Sequence, residues 1–380
     1  MLGPANYRDL ESELERQLAE DRCLLDELRD DVRTGLGPPK RIQPRSSTAI
    51  SVVATDGGNN QLRFDPFLIQ LVRVVDSSAN EYCLEIVSPT MSVRRLSQRQ
   101  LSGREGPTPL GRMMQFLGVA DLSELSPMIP PDAPGRLRSP SWIQVYRELV
   151  EWAVLLAIAR EKDFATDTVI VFDGLLRSKV FAGDLFARYR SGLRDAIDLQ
   201  YQRRRRQLFV VGLAKRSKVL DRYRLAMALE GIMQEPFPCF VEVPRALEEK
   251  VYRWSEYARG DDRAAEGGEI NKFVAGKLFF VKFGHGRYDP IWPVDILQDQ
   301  ADLADTIFGC LLADARDGFP IPLYPRSLQK AHENAALMDF DAAVLQDMIL
   351  DTLRKGLGSD CGIFDEFRLL DDDLTPRRYG

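Results

Sequence analysis

Little in this chain would carry it into or across a membrane. No run of about eighteen apolar residues occurs, and the N-terminus, MLGPANYRDLESELERQL, has neither the basic start nor the apolar stretch of a secretory signal. The five cysteines (Cys23, Cys83, Cys239, Cys310 and Cys361) are odd in number and far apart. That spacing excludes a disulfide frame and a cysteine-based zinc site, and it points to reduced thiols in a cytoplasmic protein. Histidine is scarcer still, with only His285 and His332. No GxxxxGKS or GxxxxGKT loop is present, so ATP hydrolysis of the P-loop kind is excluded. GxSxG, HExxH and paired CxxC are missing as well, which removes the common serine-hydrolase and zinc chemistries. There is no internal repeat and no low-complexity tract.

What is present is an ordinary globular composition, 44% hydrophobic and 28% charged over 380 residues, long enough for two or three domains. The net charge of −6 does not announce a nucleic-acid binder. Local potential and total charge are separate quantities, however, so the placement of the basic residues matters more.

Residues 5–35 predict an acidic amphipathic helix, with Leu10, Leu14, Leu18, Leu25, Leu28 and Val32 on one stripe. Such a helix packs on a core or meets a partner. A Gly/Pro break then leads to STAISVVATDGG, a β-rich run ending in Asp56-Gly57-Gly58. Strand candidates follow at 67–76 and 82–89, and residues 103–140, rich in Pro and Gly, read as an excursion with short helical pieces. A helix over about 141–161, the strand TVIVFDG, a helix at about 182–205 and the strand LFVVGL come next. Three strands, a helix, a strand, a helix and a strand make the element order of an RNase H-like domain, whose sheet sets its first and fourth strands side by side. The predicted class is therefore α/β, an RNase H-like mixed sheet flanked by helices, with N- and C-terminal helical additions. Beyond 225 the pattern gives more helix, a strand in PFPCFVEVP and a charged loop at 258–270. A strand pair follows in LFFVKFGHGRYDPIWPV, then helices at 299–316 and 341–356.

Both RNase H-type strands, the first and the fourth, are expected to end in Asp-Gly, at Asp56 and Asp173. Singly, an Asp-Gly pair marks a turn more often than a ligand. Paired in this order, with a third carboxylate from the 141–161 helix, the two make an all-oxygen site suited to Mg²⁺ or Mn²⁺ and to phosphodiester hydrolysis. The helix offers Glu148 and Glu151, near neighbours on its surface. Glu151 is favoured because the apolar run continues beside it. A solvent-facing pair with Arg147 is the bland alternative. Between 201 and 224 lie nine basic residues and one acid, including Arg203, Arg204, Arg205, Arg206, Lys215, Arg216 and Lys218. Such a patch suits phosphate contacts that ignore base sequence, although arginines at a helix C-terminus are favourable in any case. Lys215, at a strand end in register with the aspartates, is the candidate for the scissile phosphate. His332 falls on a predicted helix after Pro325, where a lone histidine is more often structural.

These residues together resemble the NurA nucleases. The resemblance runs through VVATDGG, RELVEW, VIVFDGLLRS, VVGLAKRS and YPRSLQKAH, in that order, from about residue 50 to 340. It implies a manganese-dependent nuclease with 5′–3′ exonuclease and single-strand endonuclease activities. It also implies a homodimer that works with a HerA-type hexameric ATPase, in DNA end processing or in defence against foreign DNA. Asp56, a helix glutamate and Asp173 would hold the metal, His332 would join or flank it, and Tyr324 would position the DNA strand. The implied division is an N-terminal helix at 1–40 for dimer or partner contact and a nuclease domain at 45–340. That domain has its core at about 48–225 and an insertion at 89–140, and a C-terminal helix and tail occupy 341–380. Two other readings use the same residues, a gating subunit with weak catalysis and an RNase H-like enzyme acting on RNA.

Overall fold

The computed structural model describes residues 4–45, 50–64, 67–103, 106–133, 139–252 and 272–336, with isolated helical residues between 344 and 356. Over 50–64 it describes the backbone only. The charged loop expected at 258–270 and most of the helix expected at 341–356 lie outside the described residues.

One nine-stranded mixed sheet organises the chain. Its strands are β1 (Lys40–Arg41), β2 (Ile50–Phe64), β3 (Phe67–Asp76), β4 (Glu81–Val87), β5 (Asp167–Asp173), β6 (Leu208–Leu213), β7 (Cys239–Glu242), β8 (Gly276–Lys282) and β9 (Ile291–Leu297), in the spatial order β1-β7-β8-β9-β6-β5-β2-β3-β4. β2, β3 and β4 form an antiparallel meander, while β5 is parallel to β2 and β6 to β5. That is the expected RNase H-like arrangement, with the first and fourth strands of the core adjacent. The sheet then continues past β6 through antiparallel β9, β8, β7 and the edge strand β1. β6 and the middle of β5, Val169 to Phe172, are apolar because both their faces are covered.

Helices flank the sheet on both sides. α1 (Pro4–Gly35) meets the body near its C-terminal end, where Leu28 and Val32, with Leu36 just beyond, join a cluster with α7 (Lys218–Leu229) and α8 (Arg245–Tyr252). The stretch expected as an insertion, 89–140, holds three short helices among its described residues, α2 (Val93–Leu101), α3 (Pro109–Leu117) and α4 (Leu122–Leu125), the last two within the Pro/Gly-rich part. α3 is capped by the Thr108 side chain and stopped by Gly118 at φ 74°, a left-handed turn that favours glycine. These helices contribute Leu96, Met113, Met114, Leu117 and Leu122 to the core beneath α5 (Trp142–Glu161) and α6 (Leu185–Arg204). On the opposite face, α9 (Ala304–Arg316) and α10 (Arg326–Ala335) cover Val169 and Val171 of β5, whose alternate residues Ile170 and Phe172 face α5. Among the described residues no helix is long and apolar enough to cross a membrane.

α5 is apolar almost all round, since it is enclosed by the sheet, α3 and α6. Trp152 locks it in place, stacking on Phe172 with ring centroids 4.5 Å apart. Truncating such a ring to alanine costs about 3–5 kcal/mol. The stack matters for chemistry because Phe172 precedes Asp173 and Trp152 follows Glu151.

One expectation is corrected here. β2 does not end at Asp56-Gly57-Gly58 but continues to Phe64, paired with β3 throughout. Its parallel pairing with β5 does stop, at Thr55 opposite Phe172. Asp56 therefore sits where β2 leaves β5 rather than at a strand end. The glycines are extended residues of a hairpin, a conformation open to them as readily as a turn.

Candidate active site

The parallel register of β2 and β5 fixes the first relation. Thr55 lies opposite Phe172 and Phe172 opposite Gly212, so the next residues along the three strands are Asp56, Asp173 and Leu213. Asp56 and Asp173 are thus neighbours at one end of the sheet. The Asp56 side chain lies outside the described residues. Gly174 follows Asp173 with φ 138°, and a Cβ there would come within 3.3 Å of the Phe172 ring. Gly212 passes beneath the same turn, where a Cβ would meet the Gly174 carbonyl oxygen at 2.4 Å. The glycine after Asp173 thus answers to the backbone turn and close packing.

α5 brings two more carboxylates. Glu148, Glu151 and Asp173 line one cavity of about 580 Å³, together with Arg147, Trp152 and Lys179. The two glutamates differ in their contacts. Glu148 accepts hydrogen bonds at a single oxygen, Oε1, from Ser178 Oγ at 2.6 Å and Trp152 Nε1 at 3.4 Å. Burial pushes its carboxyl above the usual range, against the opposing pull of those two bonds and of Arg147 and Lys179. Glu151 pairs with Arg147, Nε to Oε1 3.3 Å, along one helix face. Among the described residues no group of three or more His, Cys, Asp and Glu side chains is placed to hold a metal ion. Glu148, Glu151 and Asp173 line the cavity as carboxylates, and the register sets Asp56 beside Asp173. This all-oxygen set has the chemistry of a Mg²⁺ or Mn²⁺ site.

Asp173 has a partner from the far end of the sequence. Tyr324 is buried against Trp292, with ring centroids 4.8 Å apart, and its hydroxyl donates to Asp173 Oδ1 at 3.3 Å. The contact it shows is with the carboxylate, whereas the sequence resemblance gave it the DNA strand. Lys215 is exposed, two residues beyond β6, with its Nζ 5.7 Å from the Tyr324 ring centroid. It is therefore brought to the site, although past the aspartates' register and not level with it. His332 is exposed on α10, the helix that packs against β2, β3 and β5.

The remaining basic candidates separate. Arg216 and Lys218 are exposed at the same end as Lys215, Lys218 opening α7. Arg203, Arg204, Arg205 and Arg206 are not brought to the site. They lie at the C-terminal end of α6, which returns the chain to the start of β6, while Asp173 is level with its end. β5 spans seven residues between those ends, a length of about 20 Å.

Sequence reasoning left out the scaffold of the turn after Asp173. Arg177 is buried and holds Asp295 of β9 bidentately, Nε to Oδ2 2.9 Å and Nη2 to Oδ1 2.6 Å, with Nη1 on Glu248 of α8 at 2.7 Å. Ser178 N bonds Phe273 O at 2.9 Å, so one short segment ties the end of β5 to the residues before β8, to β9 and to α8, and presents Ser178 to Glu148. The only trace in the sequence is the Arg-Ser that closes VIVFDGLLRS. Its acidic partners stand 71 and 118 residues away.

No protein-family model and no curated protein matches the sequence. Among solved structures the chain is similar to the NurA nuclease from Sulfolobus solfataricus, at 14% identity over 93% of this chain and 98% of that one, with a TM-score of 0.45. A NurA bound to dAMP and manganese is similar at 10% identity over 90% and 96%, TM-score 0.39. Endonuclease V from Streptomyces avermitilis is similar at 13% identity over 87% and 94%, TM-score 0.27. NurA structures are thus among the folds this chain resembles.

Proposed function

We propose that this chain is a metal-dependent nuclease that hydrolyses phosphodiester bonds of DNA. One observation carries the reading: the β2–β5 register sets Asp56 beside Asp173 at the point where α5 delivers Glu151 and Glu148. Asp56, Asp173 and Glu151 would hold Mn²⁺, with Mg²⁺ as the alternative, and His332 would join or flank them. Such an ion supplies activation of the attacking water and stabilisation of the leaving oxygen. The chain's own groups do the rest. Tyr324 orients Asp173 through Oδ1, while Ser178 and Trp152 hold Glu148 at the cavity wall. Glu148 serves in this reading as a positioning residue, its hydrogen-bonded oxygen fixing the turn against α5. Lys215, with its Nζ 5.7 Å from the ring centroid of Tyr324, would take the charge of the scissile phosphate, and Arg147 and Lys179 add positive charge to the cavity.

The motif resemblance extends the proposal to 5′–3′ exonuclease and single-strand endonuclease activities. It further extends it to a homodimer, and to a HerA-type hexameric ATPase that supplies the motor this sequence lacks, in end processing or in defence against foreign DNA.

The test is labelled single- and double-stranded DNA with purified protein, in Mn²⁺ or chelator, beside Asp56→Ala. Cleavage lost in both arms is expected, and cleavage that survives both overturns the reading. RNA cleaved in preference to DNA moves the assignment to an RNase H-like enzyme. Absence of cleavage under any ion, with co-elution of an ATPase, moves it to a gating subunit.

A further inference from the structure

The arginine run that the carboxylate site leaves unused stands apart in its surroundings. Arg203, Arg204, Arg205 and Arg206 are all exposed. Arg204 is matched by Asp163. Asp167, another acid at this end of the sheet, accepts from the Gln207 backbone N–H at 2.8 Å. Among the described residues no carboxylate pairs with Arg203, Arg205 or Arg206. With no paired carboxylate among the described residues, these three guanidiniums are a local positive charge, in a chain with 57 acidic and 51 basic residues, that suits an anion.

The local backbone presents them on a fixed base. Gln200 is buried and its amide donates to Ala159 O at 3.2 Å and Lys162 O at 3.0 Å, tying the last turn of α6 to the end of α5. α6 then stops with Arg205 itself in the left-handed region, φ 54°, where glycine is the usual residue. Beside it Tyr201 is 47% exposed, and the Arg205 guanidinium lies 5.7 Å from its ring centroid. A half-exposed tyrosine with a guanidinium over its ring, next in sequence to further exposed arginines, suits unpaired bases, which stack on aromatic and guanidinium planes with their phosphates on the arginines. A duplex keeps its bases stacked inside and offers no such face, and an acidic peptide would use the charge but leave the ring idle.

We propose that Tyr201 with Arg203, Arg205 and Arg206 forms a docking platform for single-stranded nucleic acid, separate from the carboxylate site and at the opposite end of β5 and β6. A strand must bridge the gap of about 20 Å to engage both places. Binding at the platform needs no metal, so it stands or falls independently of the cleavage reading.

The experiment is fluorescence anisotropy of a labelled 20-mer of thymidylate and of a duplex of equal length, in chelator, with the full chain. The charge-neutral R203Q/R205Q/R206Q variant is expected to lower the slope of log affinity against log salt by about 2, since each phosphate contact contributes about 0.7 on single strands. R203K/R205K/R206K should keep most of that slope. Tyr201→Ala should weaken the 20-mer about fivefold or more and leave the duplex unchanged. An unaltered salt slope in the Gln variant, equal binding by Tyr201→Ala and wild type, or displacement by polyglutamate as effective as by oligonucleotide overturns the proposal. DNA bound in this way but never cleaved would sink the nuclease reading and leave the platform standing.

Discussion

Replacing Arg177 by methionine should destabilise the chain severely. The guanidinium is 5% exposed and satisfies two carboxylates, Asp295 at 0% and Glu248 at 4%. Its removal strands both acids in the interior with only Arg245, 3.0 Å from Glu248, in partial compensation. Breaking a buried pair in this way costs about 3–5 kcal/mol. The loss should depend on pH, and its sign follows from Glu248. Burial already holds that carboxyl above its ordinary value, with Arg177 pulling the other way. Without Arg177 it rises further, and a raised carboxylate contributes stability at low pH that is lost as pH climbs through the folded value. The deficit of Arg177→Met should therefore be larger at pH 8 than at pH 5. Arg177→Lys should fall between variant and wild type, because an ammonium supplies the charge without the bidentate fork. Urea unfolding followed by tryptophan fluorescence measures all three proteins. A methionine variant that unfolds at the wild-type midpoint at pH 8 refutes the reasoning.

Glu151→Gln should reduce cleavage by about 10²–10³-fold, as loss of a charged group at the reacting centre does, whereas Glu148→Gln keeps an oxygen for Ser178 and should lose about tenfold or less; rates in Mn²⁺ decide, and the reverse order would exchange their roles. Tyr324→Phe preserves the packing on Trp292 but drops the bond to Asp173, so cleavage should fall about tenfold, equivalent to ~1.5 kcal/mol, with an unchanged melting temperature. At the C-terminal end of α7, hydrogen bonds from Arg33 and Arg29 push the Glu230 carboxyl from 4.5 down to about 2. That stabilisation is full above pH 4.5 and lost as pH falls toward 2, so Glu230→Gln should flatten the acid limb of the stability profile. An acid limb identical to wild type would show that the α1–α7 clamp contributes nothing.

Much of this was legible where local pattern and environment agree. The apolar runs of β5 and β6, bounded by glycine and charge, identify buried parallel strands, and the unbroken apolar face of 149–159 identifies α5. The adjacency of the strands that carry Asp56 and Asp173 was legible from the element order taken together with the two Asp-Gly pairs. The end of β2 was misread because Gly57-Gly58 permits a turn without requiring one, and pairing with β3 keeps the chain extended. The arginine run was hard to place because nearness in sequence to β6 does not say which end of β6 it adjoins. The antiparallel return of α6 puts it on the side away from the aspartates. Arg177 could not have been singled out, since its meaning comes from Glu248 and Asp295, distant in sequence and brought near only by α8 and β9.

The claim that Asp173 belongs to a metal-dependent hydrolytic centre is tested most directly by Asp173→Asn, assayed on end-labelled single-stranded DNA across a Mn²⁺ titration. The asparagine keeps the shape of the side chain and an oxygen for Tyr324, so the fold should be intact by thermal melting. The account predicts cleavage reduced by about 10²-fold or more at saturating Mn²⁺. Cleavage at the wild-type rate, with the same Mn²⁺ dependence, would contradict it.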